Sequence, residues 1–307
     1  MRQPASLYVR SMRRNAVSLY GRGTRKLQRI LFRTETAKPR AARETRPVVD
    51  ASMLRAAFQQ LGLAQGDTVI VHSGISHLGK VTGGPKAIFE IIRDMVGERG
   101  NVMYPVFPFD NLMMNYMSSK PRFDVRTAPS KMGALTEYAL KSPGGARSIH
   151  PSHSVLAFGP QRNDLVATHH LDTKPFADRS PFARLVDFNG KILLIGVGLN
   201  STTSFHRTED RLGDKFPVKI YGEQTFRVPC TGWNGEPLEV VTPAHDPFVS
   251  RVRDCNLVRD DFVREDVLRE LPIGSGTVGI IDAGAMDRLL EKLCFTRQLT
   301  IYGRLWG

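Results

Sequence analysis

A chain of 307 residues, 41% hydrophobic and 24% charged, has ordinary globular composition and length enough to bury one large core, and it has no apolar stretch near the roughly 20 residues of a membrane span. The net charge of +13 makes no whole-protein case for nucleic-acid binding, because 13 of the 43 Lys and Arg but only three of the 30 Asp and Glu fall in residues 1–50, leaving the rest nearly neutral. Three cysteines, Cys230, Cys255 and Cys294, with no CxxC pair, argue against a disulfide framework or a cysteine-rich zinc site and fit a reducing cytoplasm.

Residues 1–47 read as a basic N-terminal extension. Tyr8, Val9, Leu19, Leu27, Ile30 and Leu31 are interleaved with Arg10, Arg13, Arg14, Arg25, Lys26 and Arg29, a pattern that suits two short helices broken at Gly21 and Gly23. Such a segment is compatible with a solvated flexible tail, with peripheral contact to an anionic membrane or acidic partner, or with a transit peptide. It lacks the continuous apolar core of a secretory signal. A polar, proline-containing linker covers residues 36–47, and residues 48–307 form the main domain.

Along that domain, residues 51–61 have helical spacing, and 67–72 are a β-branched strand. A Gly/Ser-rich loop over 73–84 leads into a helix over 85–96, with Pro85 in its first turn, and a strand over 102–106. Residues 110–130 read as a long polar loop of the kind that carries function. Helices are expected over 132–140, 180–186 and 201–212, and strands over 154–158 and 191–197. Residues 216–241 alternate strands with turns, 246–271 and 283–296 read as helical, and 299–302 as a last strand. The alternation predicts an α/β fold: a single large domain with a mixed central β-sheet flanked by helices.

Four segments can carry chemistry. The first, Val71-His72-Ser73-Gly74, ends a strand where ligands of α/β proteins gather, and its loop N–H groups suit a phosphate. The second is Thr127 to Leu135, in which Ser130 reads as the N-cap of a helix that offers free N–H groups near Met132 and Gly133. The third, Arg147 to Ser154, holds His150 and His153 around Pro151. No suitably spaced carboxylate accompanies them, so a structural or substrate-lining role outranks metal binding. The fourth runs from Asn200 to Asp210. His206 and Glu209 are three apart and share a helical face, with Asp210 beside them. A carboxylate at an imidazole is expected to raise its pKa and improve it as a base for an ammonium that must lose a proton. An ordinary surface ion pair is the plainer reading of the same spacing.

Together these segments resemble the aminoglycoside 3-N-acetyltransferase family. VHSG followed by LGKVTGG, then TAPSKMGAL, RSIHPSHS, SPFARL and LLIGVGLNSTTSFHRTE, stand in that family's order over about residues 52–230. The resemblance implies an antibiotic N-acetyltransferase-like α/β fold, distinct from that of the GNAT acetyltransferases. It further implies transfer of acetyl from acetyl-CoA to an amine of a small molecule, an aminoglycoside or another amino sugar, by a homodimer of the cytoplasm. By motif, His206 is the expected catalytic base and Glu209 its partner. His72, Ser73, Gly74, Ser130, Met132 and Gly133 are expected at acetyl-CoA, Asp110 and Asp210 at the acceptor, and no metal is implied. VHSG stands where VHSS is usual, and Arg207 follows the histidine where apolar residues are frequent. The near-neutral main domain points away from a polycation toward another amine. Two alternatives stay open: a covalent route through Ser73, which no GxSxG elbow surrounds, and a non-catalytic binding protein that uses its basic tail.

Overall fold

The apolar runs around residues 70 and 193 become the central strands of the molecule. Each is buried on both faces and so lacks the in–out alternation of a half-exposed strand. The computed structural model describes residues 46–304. All of the basic extension except residues 46 and 47 lies outside the described residues, and so do its expected helices and membrane contact. No helix of the described residues is long and apolar enough to cross a membrane.

The chain runs through β1 (Val48–Val49), α1 (Ala51–Leu61), β2 (Thr68–Ser73), β3 (Lys80–Val81), α2 (Gly84–Val96) and β4 (Asn101–Pro105). It continues with α3 (Met113–Ser118), β5 (Phe123–Asp124), α4 (Ala134–Lys141), β6 (Ala146–Arg147), β7 (Val155–Phe158), α5 (Arg162–Val166) and α6 (Pro181–Asp187). Next come β8 (Lys191–Ile195), α7 (Phe205–Leu212), β9 (Tyr221–Thr231), β10 (Pro237–His245), α8 (Pro247–Val252) and α9 (Arg259–Arg264). Last are β11 (Leu268–Ile273), β12 (Gly276–Asp282), α10 (Ala283–Arg297), β13 (Leu299–Thr300) and β14 (Gly303–Arg304).

The main sheet has seven strands in the order β11-β12-β8-β2-β4-β7-β6. Its centre, β8-β2-β4, is parallel, and its flanks are antiparallel. Alternate residues feed two cores. Ile70, Met103, Ile192 and Leu194 pack with Phe182, Phe205, Phe262 and Leu293 on one face, while Val69, Val71, Val102 and Leu193 pack with Leu54, Phe58, Ile88 and Ile92 on the other. A smaller sheet, β10-β9-β5, closes over Met113, Met117, Phe123 and Val240 as a satellite core.

Three expectations are corrected. Residues 110–130 are not a bare loop: α3 and β5 lie within them, and both bury side chains in the satellite core. The helical reading of 246–271 holds only for the short α8, a 3₁₀ turn and α9. The chain then enters β11, which pairs with β12 across the two-residue turn Gly274-Ser275, where Gly274 adopts φ +59°. Ser130 does not cap α4, whose N-cap is Gly133. Its hydroxyl instead accepts from the Met132 N–H at 3.1 Å and lies 2.9 Å from that of Thr136, tying the loop to the helix.

Candidate active site

Strand β2 has parallel neighbours on both sides, reached by connections that leave in opposite directions, so a crevice opens at its carboxyl end. Two glycines let the loops after β2 and β8 meet there. A Cβ on Gly196 would lie 2.5 Å from the Gly74 carbonyl oxygen, and Gly196 has φ +67°. The His77 ring fastens the junction through Nδ1, 2.7 Å from the Gly196 carbonyl oxygen. A pocket of about 210 Å³ lies at this crevice, lined by His72, Ser73, Pro105, Met132, Thr136 and Val197 together with Ser201 and Thr203.

Ser201 and Thr203 also line a second cavity, of about 260 Å³, walled by His206, His245, His153, Arg253, Tyr302 and Phe109 among others. Helix α7 supplies His206. Phe205 holds the helix to the main core by stacking on Phe262 at 5.7 Å, and Thr208 donates to Asp287 of α10 at 2.6 Å. With α7 fixed, the His206 Nδ1 stands 2.6 Å from Glu209 Oε2, and both side chains are buried. Tyr302 hydrogen-bonds the same carboxylate. On the other side of the ring, Arg253 Nη1 lies 2.9 Å from Nε2, while Nη2 donates to the Asn200 carbonyl oxygen at 2.9 Å.

A guanidinium only donates, so the ring nitrogen facing it must accept. This assigns His206 as the neutral Nδ1–H tautomer, donating to Glu209 and presenting the Nε2 lone pair to Arg253 and the cavity. Here the expected direction of the pKa shift is corrected. Burial holds the His206 imidazole well below its ordinary range, and the Arg253 charge adds to the effect. Burial also raises Glu209 to about 8, against the Tyr302 hydrogen bond and the Arg253 charge. A buried carboxylate that is itself hard to ionise does not make its neighbour a stronger base. Three more rings crowd His206: His245 at 4.5 Å, Phe176 at 5.1 Å and, through His245 at 5.8 Å, His153. Burial depresses both of these histidines as well.

The structure gathers part of the residue set expected from sequence. His72, Ser73 and Met132 line the smaller pocket. Gly133, at φ +99°, lies beside the Ser73 carbonyl, and Gly74 serves the junction with Gly196 and Val197. Buried Ser130 supports this wall from behind. Asp110 is exposed between the cavity-lining Phe109 and Asn111 without lining the cavity itself. Asp210 is buried behind the cavity, where it accepts from the Tyr221 hydroxyl at 2.9 Å and the Phe176 N–H at 3.0 Å, and burial raises it to about 7. Sequence reasoning missed His245, Arg253 and Tyr302. They come from β10, the end of α8 and the C-terminal hairpin, beyond the stretch of matching motifs, and no local spacing ties them to His206.

The profile described as aminoglycoside 3-N-acetyltransferase matches residues 70–294. Aminoglycoside N(3)-acetyltransferase VII of Streptomyces paromomycinus is 35% identical over 188 residues, 54% of this chain and 65% of that protein. Aminoglycoside N(3)-acetyltransferase IX of Micromonospora chalcea is 32% identical over 200 residues, 58% of this chain and 71% of that protein. The chain thus spans 65% of the length of the first of these relatives. A solved structure described as AAC-VIa bound to sisomicin superposes with a TM-score of 0.63 at 26% identity, covering 82% of this chain and 99% of the other. The fold is also that of AAC-IIIb in binary complex with CoASH, with a TM-score of 0.65 at 24% identity over 82% of this chain and 98% of the other. With its motifs, its sheet and the greater part of its length in agreement, the chain belongs to the aminoglycoside 3-N-acetyltransferase family.

Proposed function

We propose that the protein transfers an acetyl group from acetyl-CoA to an amine of a small molecule, an aminoglycoside or another amino sugar, with His206 as general base. The observation that carries this reading is the buried His206–Glu209 contact of 2.6 Å in the wall of a cavity that shares Ser201 and Thr203 with a second pocket. Family membership supports the acetyl donor and the class of acceptor. The thioester end of acetyl-CoA belongs in the pocket of His72, Ser73 and Met132, and the amine belongs in the cavity of His206.

The reaction is direct transfer. The amine nitrogen attacks the thioester carbonyl as His206 Nε2 takes its proton, directly or through one water. The carbon–sulfur bond then breaks, and the proton passes to the leaving thiolate. Ser201 and Thr203 are the hydroxyl donors we assign to the transient oxyanion, because both stand where the two pockets meet. Glu209 holds the ring in its Nδ1–H tautomer and balances the imidazolium as it forms.

The test is thiol release from acetyl-CoA with a panel of aminoglycosides, amino sugars and simple amines. His206→Ala is expected to lower kcat by about 100- to 10,000-fold while acetyl-CoA still binds by calorimetry. Near-normal turnover in the folded variant would remove His206 from the mechanism. Silence of the wild-type protein across the panel, with no acetyl-CoA binding, would remove the activity itself.

A further inference from the structure

Among the described residues lining the His206 cavity, Arg253 is the only side chain of fixed charge, and none is Asp or Glu. The two hydrogen-bond acceptors it meets, the His206 Nε2 and the Asn200 carbonyl oxygen, are both neutral. Among the described residues no carboxylate lies within ion-pairing distance of its guanidinium, and its charge reaches Glu209 only across the imidazole. Of the carboxylates near this wall, Asp210 holds Tyr221 and Phe176, Asp124 pairs with Arg126 at 2.7 Å, and Asp110 is exposed without lining the cavity. The other ionisable groups of the wall, His153, His206 and His245, are held neutral by burial, and Tyr302 stays protonated.

Such a wall attracts an anion and repels a polycation. A guanidinium fork on half-buried ground matches a carboxylate or phosphate through two parallel N–H bonds. In this structure one arm of that fork occupies the lone pair that a general base must use. We infer that the acceptor is an amine that also carries an anionic group, a carboxylate or a phosphate, and that this group engages Arg253 and draws it off His206 Nε2. Recognition of the acceptor then exposes the base at the moment the amine arrives. The Arg253 charge also disfavours the ammonium form of the incoming amine, which helps it enter as the free base. The inference rests on the proposed activity for the identity of the amine, and on the cavity itself for the identity of its companion charge.

The experiment is calorimetric binding to the acetyl-CoA-saturated protein of four probes: glucosamine, glucosamine 6-phosphate, muramic acid and tobramycin. The wild-type protein is expected to bind glucosamine 6-phosphate, muramic acid or both at least about tenfold more tightly than glucosamine, with the stronger of the two distinguishing phosphate from carboxylate. Arg253→Gln is expected to erase that preference. Arg253→Lys, which keeps the charge without the fork, is expected to keep part of it. Tighter binding of tobramycin than of either anionic amine, an undiminished preference in Arg253→Gln, or no binding of any anionic probe would overturn the inference. Thiol release measured on the same four compounds separates the two readings. If the anionic amines bind as expected and none is acetylated, the activity fails and the anion site stands. If a neutral or polycationic amine is acetylated and anionic amines are not favoured, the activity stands and the anion site fails.

Discussion

His206 is held from both sides, by a carboxylate at Nδ1 and a guanidinium at Nε2. At rest the neutral ring stands between a carboxyl that burial pushes up to about 8 and a guanidinium. A proton arriving at Nε2 during catalysis turns the ring into a cation, and the adjacent carboxylate is then worth more than any neutral acceptor would be. Glu209→Gln keeps an acceptor for Nδ1–H and removes the group that can ionise beside the imidazolium. It is expected to lower kcat by at least about tenfold with the KM for acetyl-CoA unchanged, as steady-state kinetics would show. An unchanged kcat would reduce Glu209 to a spacer. The His206–Glu209 pair was legible in the sequence because three-residue spacing in one helix fixes which side chains share a face. The direction of the imidazole's pKa shift was not, because it depends on burial by β10 and the C-terminal hairpin, and on an arginine 47 positions away in the chain.

At the level of elements, the site depends on how closely the ends of β2 and β8 approach. Gly196→Ala puts a methyl group 2.5 Å from the Gly74 carbonyl oxygen and a side chain at φ +67°. It is expected to destabilise the fold by about 1–3 kcal/mol and to weaken acetyl-CoA binding, read from urea midpoints and calorimetry. Unchanged stability would mean that the two loops are free to separate. The strands themselves were readable because buried parallel strands are apolar throughout, and α7 was readable because polar small residues lead into it from such a strand. The β11–β12 hairpin went unread although its two-residue turn begins with glycine. Leu268 to Ile273 carries only a mixed burial pattern at the sheet edge, so its apolar periodicity is weak. The short α3 and β5 were obscured for a similar reason: each is stabilised by the satellite core rather than by local propensity.

For the whole molecule, the histidines dominate the response to acid. His72, His150, His153, His169 and His206 are buried and His245 is half-buried, and burial lowers all of them, His72 to about 4 and His169 to about 3. Their folded values lie below the ordinary 6.5, so the unfolded chain takes up protons first as the pH falls. The stability tied to their neutral forms is complete above about pH 6.5 and is lost below it, by up to about 1.4 kcal/mol per pH unit for each histidine. Glu209 and Asp210, raised by burial, act in the opposite sense, but they are two against six. Tm is therefore expected to fall steeply between about pH 7 and pH 5, as calorimetry would show, and a flat profile would mean that the histidines are protonated in the folded state. The number of histidines is plain in the sequence, but which of them the fold covers is a property of the assembled structure.

The base and the walls of its cavity come from different parts of the molecule. His206 rides on α7, fixed to the main sheet, whereas Met113 and His245 belong to α3 and β10, which contribute to the satellite core. Substitutions in that satellite can reshape what is admitted without touching the group that moves the proton. In evolutionary terms the architecture is modular: an inherited reaction is paired with a separately mutable reader of its acceptor, so a lineage can change the molecules it modifies while keeping the chemistry by which it modifies them.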